Sequence, residues 1–181
     1  MTFGTTKGRR AVLATAACIG LAALAWAAIA KPSARVVYNA SESVPVGWYR
    51  IETMVESASS LRVGGIVLTR LPAEPAALAA QRGYLPAHIP LLKRVGAVSP
   101  QHVCVREGQV RIDGTPVAVV LRVDRLGRAM PVWNECRALV AGEVFLLSNT
   151  HLGSFDSRYF GPIDMSLVMG LARPMGGGKP P

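Results

Sequence analysis

The chain begins basic and then turns abruptly apolar. Lys7, Arg9 and Arg10 precede residues 11–30, AVLATAACIGLAALAWAAIA, which carry no charge over 20 positions. Coiled as a helix, that run would be about 30 Å long, the thickness of a bilayer's hydrocarbon core. The pattern predicts a transmembrane anchor over 11–30, with residues 1–10 on the cytoplasmic side because basic residues flank the inner end. Trp26 near the outer end suits a membrane interface. Ala28-Ile-Ala30 also offers the small-residue spacing of a signal-peptide cleavage site. The run is longer than the usual apolar segment of such a peptide, which favours the anchor. Either way, residues 31–181 are expected to be exported.

Beyond Lys31 the period shortens. Val36-Val-Tyr38 can begin a first strand, and Gly47-Trp-Tyr-Arg-Ile51 resumes it after a turn at Pro45. Residues 52–62 are polar and Ser-rich without a clear period, which reads as a loop or one short helix. Gly64–Thr69 is a short strand rich in β-branched residues. Pro75–Arg82 is Ala-rich, with Pro at a plausible first helical position and Gly83 as a stop, and predicts one small surface helix. From Leu91 onward the signal is β: Leu91–Val98, His102–Val105, Gln109–Ile112 and Pro116–Leu121, with Glu107-Gly108 and Asp113-Gly114 at hairpin distance. Val140–Ser148 holds the apolar Phe145-Leu-Leu147, and Ser166–Ala172 is the last apolar run. The expected architecture is a mainly-β, barrel-like or sandwich-like domain over 31–173, with 174–181 as a disordered tail.

Composition narrows the function. The formal charge is +9, but the basic residues after the apolar run are scattered singly, without runs or interleaved aromatics. That spacing fits a surface near anionic headgroups, or a solvated basic surface, better than a nucleic-acid groove, so no direct nucleic-acid partner is expected. Cys18 lies in the apolar run, while Cys104 and Cys136 fall in the exported part, where a disulfide is permitted. Two thiols without a CxxC spacing predict a structural bridge, with two buried free thiols as the alternative, and no metal site.

A serine hydroxyl is a poor nucleophile until something removes its proton. His88, His102 and His151 stand in no recognisable hydrolase context. Lysine usage says more: of Lys7, Lys31, Lys93 and Lys179, only Lys93 lies inside the domain, within Ile89-Pro-Leu-Leu-Lys-Arg-Val-Gly96. Burial, and repulsion from Arg94, would lower its pKa toward that of a usable base; arginine cannot do this. A lysine snorkelling from a strand edge is the plainer alternative. Ser43, in Ser41-Glu-Ser-Val-Pro45, is the candidate nucleophile because Pro45 and Gly47 bend the chain around it. Ser41 could point the same way in an extended segment and donate to an oxyanion. Both serines could equally be ordinary turn formers. Ser154, Asp156 and Arg158 alternate and would share one face of an extended chain. There Ser154 could bond a lysine amine, and Asp156 with Arg158 could pin a loop.

These three patches together resemble the type I signal peptidase family of serine/lysine proteases (S26), and most closely its conjugative-transfer, TraF-type branch. Ser41-Glu-Ser-Val-Pro45 is similar to the nucleophile box, and Pro45-Val-Gly-Trp-Tyr49 to its ending in the conjugative branch. Leu92-Lys-Arg-Val95 resembles the lysine box, and Gly153-Ser-Phe-Asp-Ser-Arg-Tyr-Phe-Gly161 the Ser-x-Asp-Ser-Arg box. The likeness runs from about residue 10 to about 172. It implies Ser43 as nucleophile, Lys93 as general base, Ser41 and the Ser43 N–H as oxyanion donors, Ser154 orienting Lys93, and Asp156 with Arg158 in support. It also implies a mainly-β catalytic domain on the outer face of the inner membrane and a pilin precursor as substrate. Other conjugative channel proteins would be neighbours, with no metal or organic cofactor. Two departures stand out: Ser148-Asn-Thr-His151 replaces the usual Gly-Asp-Asn-Arg, and Val44 replaces the usual Met. Both favour a specialised substrate. The rival expectations are a general signal peptidase, a non-catalytic anchored scaffold of the mating channel, and a cytoplasmic self-cleaving repressor, the last disfavoured by the anchor.

Overall fold

The structure is a computed structural model that describes residues 6–29, 35–53, 61–148 and 150–176. The chain divides into two units, Met1–Ser33 and Ala34–Pro181. The first contains one helix, α1 (Thr6–Ile29), of 24 residues. It starts ahead of the uncharged run because Lys and Arg are good helix formers. Its Gly8–Trp26 stretch, with a mean hydropathy of 1.4, is long and apolar enough to cross a membrane. Every residue of that stretch is exposed. An apolar surface all round a helix is matched by lipid rather than by water.

The second unit is mainly β. Its strands are β1 (Arg35–Asn39), β2 (Gly47–Thr53), β3 (Ile66–Thr69), β4 (Leu91–Val98), β5 (His102–Arg106), β6 (Gln109–Ile112), β7 (Thr115–Val119), β8 (Cys136–Ala138), β9 (Glu143–Leu146), β10 (Ile163–Asp164) and β11 (Val168–Met175). Among the described residues it also holds two short α-helices, α2 (Ala73–Gln81) and α3 (Ser157–Phe160), and a 3-10 turn, Met165–Leu167. A seven-stranded sheet runs β1-β2-β11-β3-β4-β9-β10, and a four-stranded sheet runs β7-β6-β5-β8. Every pairing is antiparallel.

Alternation along the strands decides where the core sits. On β9, Phe145 belongs to one apolar cluster with Ala97, Val103, Val105, Val110 and Leu147. Its neighbours Val144 and Leu146 face a second cluster with Val67, Val95, Ile163 and Val168. Because both faces of β9 are covered, its sequence reads as an unbroken apolar run rather than an alternating one. A third cluster, Val44, Tyr49, Ile51, Leu68, Leu92 and Ala172, lies under the β1–β2 hairpin.

The two predicted hairpin turns are present. Glu107 and Gly108 have φ of 52° and 75°, and Asp113 and Gly114 have 49° and 81°. Positive φ at both central residues is the type I′ geometry that matches strand twist. Cys104 and Cys136 are joined in a disulfide, facing each other across β5 and β8. The three-residue β8 was not foreseen, being too short to show a period. The α2 helix starts at Ala73, with Pro72 as its N-cap, so Pro75 is its third residue rather than its first. At the C-terminus, Pro174 and Met175 pair with Tyr49 and Trp48. The sheet therefore extends past residue 173, into the segment expected to be a tail. Residues 177–181 of that tail, most of the Ser-rich loop and residues 30–34 lie outside the described residues.

Gly170 sits at a register shift in β11, where the strand packs closely on β2. A Cβ there would press on the Glu52 carbonyl and lie 2.8 Å from Ile51 Cγ2. Gly170→Ala is expected to destabilise the domain by about 1–3 kcal/mol, read as a lower urea midpoint. An unchanged midpoint would mean that β11 moves aside at no cost.

Candidate active site

Three separate segments meet in the lining of a cleft of about 710 Å³. Lys93 comes from the middle of β4, paired with Val67 of β3, and is only 4% exposed. Ser43 lies in the 40–46 loop of the β1–β2 hairpin, which Asn39 and Gly47 close as a register pair. Ser154 lies just before α3. Lys93 Nζ donates to Ser43 Oγ at 2.9 Å and also to Ser154 Oγ. The two serine hydroxyls are 3.2 Å apart.

Burial sets the lysine's acidity. Loss of hydration lowers the Lys93 pKa from 10.5 to about 8; the Asp156 carboxylate opposes this and the Arg158 guanidinium adds to it. The expected like-charge partner, Arg94, is not the one that acts. Arg94 follows Lys93 on the strand and so faces the other side, where it donates to the Gly64 carbonyl at 2.7 Å. A neutral amine held against Ser43 Oγ can accept its proton.

Asp156 and Arg158 are both fully buried. Their side chains form a two-pronged pair, Nε to Oδ1 at 2.8 Å and Nη2 to Oδ2 at 2.9 Å. Arg158 also donates to the carbonyls of Ser154 (3.1 Å) and Val119 (3.0 Å). Asp156 caps α3 and accepts the Ser148 N–H at 3.0 Å. The 154–158 segment is thus a turn entering a one-turn helix, not the extended strand that the alternation predicts. Its three side chains converge through hydrogen bonds instead of lining one strand face. Among the described residues, every buried side-chain nitrogen and oxygen has a partner.

Ser41 also departs from expectation. Its loop is a turn rather than an extended strand, Ser41 is exposed, and its Oγ donates to Asn39 Oδ1 at 2.9 Å. The Ser43 N–H has no hydrogen-bond acceptor among the described residues.

Comparison with known proteins identifies the family of the chain. The profile described as signal peptidase, peptidase S26, matches residues 8–175. The chain belongs to the S26 signal peptidase family. Plasmid transfer protein TraF of Escherichia coli is 33% identical over 175 residues, covering 91% of this chain and 92% of that protein. The probable conjugal transfer protein TraF of Sinorhizobium fredii is 34% identical, with 86% of each chain covered. The conjugal transfer protein TraF of Agrobacterium tumefaciens is 32% identical, covering 93% of this chain and 97% of that one. A solved signal peptidase I structure from Enterococcus faecalis is a distant likeness, 16% identical with a TM-score of 0.38, covering 62% of this chain and 97% of that one.

Within this S26 family member, both departures from the usual motifs are built into the site. Val44 is 1% exposed and packs in the third cluster with Leu92. Ser148 donates to the Ser43 carbonyl at 2.9 Å, and Thr150 to the Glu42 carbonyl at 3.0 Å. Asn149 lies outside the described residues. Histidine is not among the bonding partners of Ser43: His151 lines the cleft but pairs with Glu42 at 3.5 Å. The rest of the cleft is largely apolar, with Leu71, Leu91, Leu121, Met130 and Phe155 among its lining. Also in its lining, Asp124 accepts from Tyr84 Oη at 2.5 Å and from Arg128 Nε at 2.7 Å, a knot of residues not foreseen in the sequence. The sequence also left Asn39 unremarked, although Asn side chains often bond the backbone two residues on and so form turns.

The shifted lysine makes a stability prediction. In the folded chain Lys93 keeps its proton only up to about pH 8, whereas its ordinary value is 10.5. The unfolded state therefore binds the extra proton between those values, so stability rises with pH across that window. Below pH 8 the buried charge costs on the order of 3 kcal/mol. Lys93→Met is expected to raise the denaturation midpoint at pH 7, with the gain shrinking from pH 8 upward and gone above 10.5. Equal midpoints for variant and wild type at pH 7 would count against that cost.

Proposed function

We propose that this protein is a membrane-anchored serine endopeptidase, with Ser43 as nucleophile and Lys93 as general base, that matures a pilin precursor for conjugative plasmid transfer. The observation that carries the reading is the 2.9 Å contact between Lys93 Nζ and Ser43 Oγ in the lining of a largely apolar cleft. Membership of the S26 signal peptidase family supports proteolysis, and relatives named for plasmid and conjugal transfer support the biological setting. Helix α1 supports an inner-membrane anchor, with the domain on the periplasmic side.

In this mechanism neutral Lys93 takes the Ser43 proton as Oγ attacks the scissile carbonyl. The Ser43 N–H, and Ser41 once its hydroxyl leaves Asn39, receive the oxyanion. Lys93 then passes the proton to the departing amine, leaving an acyl group on Ser43. Water, or an amine of the substrate itself, completes the transfer. Ser154 keeps the Lys93 amine aimed at Ser43, and the buried Asp156–Arg158 pair holds Ser154 in place. The cleft also offers backbone for substrate. β9 pairs with β4 only from Val95 onward. Among the described residues, no strand covers that edge of Leu91–Lys93. An extended substrate segment could add there as a strand, a common mode of peptide recognition.

Intact mass of the pilin precursor in cells carrying wild type, Ser43→Ala or Lys93→Ala tests the assignment. Both variants should still reach the membrane, yet leave the precursor uncut or slow processing by at least about 100-fold. Normal processing by either would remove that residue from the mechanism; normal processing by both would move the scaffold reading to the front.

The pH profile has a definite sign. A base works only when unprotonated, so kcat/KM should climb with pH up to about 8, where the Lys93 amine becomes neutral, and then level off. A rate that stays flat from pH 6 to pH 10 would speak against a titrating lysine.

A further inference from the structure

Residues 40–46 join two strands, and Ser41 and Glu42 among them are exposed to solvent. One buried side chain holds both ends of this loop. Asn39, the last residue of β1, is 7% exposed. Its Oδ1 accepts the Ser41 N–H at 3.1 Å and the Ser41 hydroxyl at 2.9 Å. Its Nδ2 faces the carbonyls of Ser41 (2.7 Å), Val44 (2.9 Å) and Pro45 (3.1 Å). The amide has two N–H donors for these three oxygens, so one is shared. Tyr49 Oη adds a bond to the Pro45 carbonyl at 2.6 Å. From the opposite side, Thr150 Oγ1 holds the Glu42 carbonyl at 3.0 Å and Ser148 Oγ the Ser43 carbonyl at 2.9 Å. The loop is gripped on both flanks of Ser43, and no contact in the grip uses the Ser43 hydroxyl itself.

We propose that Asn39 is a positioning residue for Ser43, and that the hydroxyls of Ser148 and Thr150 complete the brace that keeps Ser43 Oγ within reach of Lys93. The inference rests on the endopeptidase reading above. It also assigns a purpose to the Ser148-Asn-Thr-His151 departure: the chain places hydroxyls there because they bond the nucleophile loop. Asn39 has a second effect. It occupies the Ser41 hydroxyl in the resting protein, so Ser41 must exchange Asn39 Oδ1 for the oxyanion before it can assist.

Asn39→Asp separates the two chemical roles of the amide. It keeps the acceptor for Ser41 but sets a carboxylate oxygen against three carbonyl oxygens, so the grip on Val44 and Pro45 is lost. The full-length protein in detergent micelles is mixed with acetyl-Ala-Ala p-nitrophenyl ester. Ser43 Oγ takes the acyl group, its proton passes to Lys93, and p-nitrophenolate departs. Nitrophenolate release gives the rate, and intact mass with peptide mapping locates the adduct. Misplacing a reacting group by an ångström can cost about 100-fold. Asn39→Asp and Thr150→Val are each expected to slow acylation by about 10- to 100-fold, with half-saturation and the pH midpoint as in wild type. Thr150→Ser, which restores the hydroxyl, should return to within a few-fold of wild type. If Asn39→Asp does not fold, the Thr150→Val and Thr150→Ser pair decides for the brace. Wild-type acylation by Asn39→Asp, or a Thr150→Val loss that Thr150→Ser does not repair, overturns the inference alone. Absence of a Ser43 adduct in wild type overturns the endopeptidase reading and the brace together.

Discussion

Everything at the site depends on one buried ion pair. Asp156 and Arg158 give up hydration completely, a cost that their mutual attraction repays only if their remaining hydrogen-bonding capacity is used. Here most of it is used: Arg158 donates further to the carbonyls of Ser154 and Val119, and Asp156 accepts the Ser148 N–H. One arm of the pair therefore fixes Ser154, which bonds Lys93. The other fixes Ser148, which bonds the carbonyl of Ser43. Removing one partner from such a pair ordinarily costs about 3–5 kcal/mol, because the other is left buried and uncompensated. That penalty is what makes the arrangement rigid: neither arm can relax without exposing or orphaning a charge.

The same burial makes the Lys93 amine easier to deprotonate. Water would hold the Lys93 proton to pH 10.5; the dry interior releases it near 8. Asp156 pulls the other way, and Arg158, locked to Asp156, limits how far. The ion pair thus serves as scaffold and as part of the electrostatic setting of the amine. At neutral pH the buried ammonium works against the stability of the domain, the kind of local conflict that folds carry at functional sites.

Much of this was legible in the chain. A lone domain lysine among arginines, two serines before a Pro-x-Gly turn, and the Ser-x-Asp-Ser-Arg segment pointed to the residues that the fold brings together. Strands of clear period, such as Leu91–Val98 and Gln109–Ile112, came through with their limits unchanged. What stayed hidden had physical reasons. β8 has three residues and is defined by its partner β5 and a disulfide rather than by any period of its own. The alternation of Ser154, Asp156 and Arg158 looked like a strand, but an Asp that caps a helix overrides period two. Arg94 was the nearest cation in sequence, yet strand geometry turns it away and a cation 65 positions along the chain takes its place. Asn39 gave no signal because its side chain bonds mainly backbone groups, which every sequence has.

The apolar core supplies the last constraint. Val44 and Leu92 belong to the same buried cluster, and they are the immediate chain neighbours of Ser43 and Lys93. Their packing brings the two backbones to the distance at which the hydroxyl and amine meet. Pairing of β4 with β3 through Val67 and Lys93 then fixes which side chains turn inward. A one-residue slip would send Lys93 to the opposite face and Arg94, which cannot lose its proton, into the cleft. Polar chemistry at this site is therefore aimed by hydrophobic register. Val44 completes that cluster, so its position seats the loop that carries Ser43 as much as it fills the core.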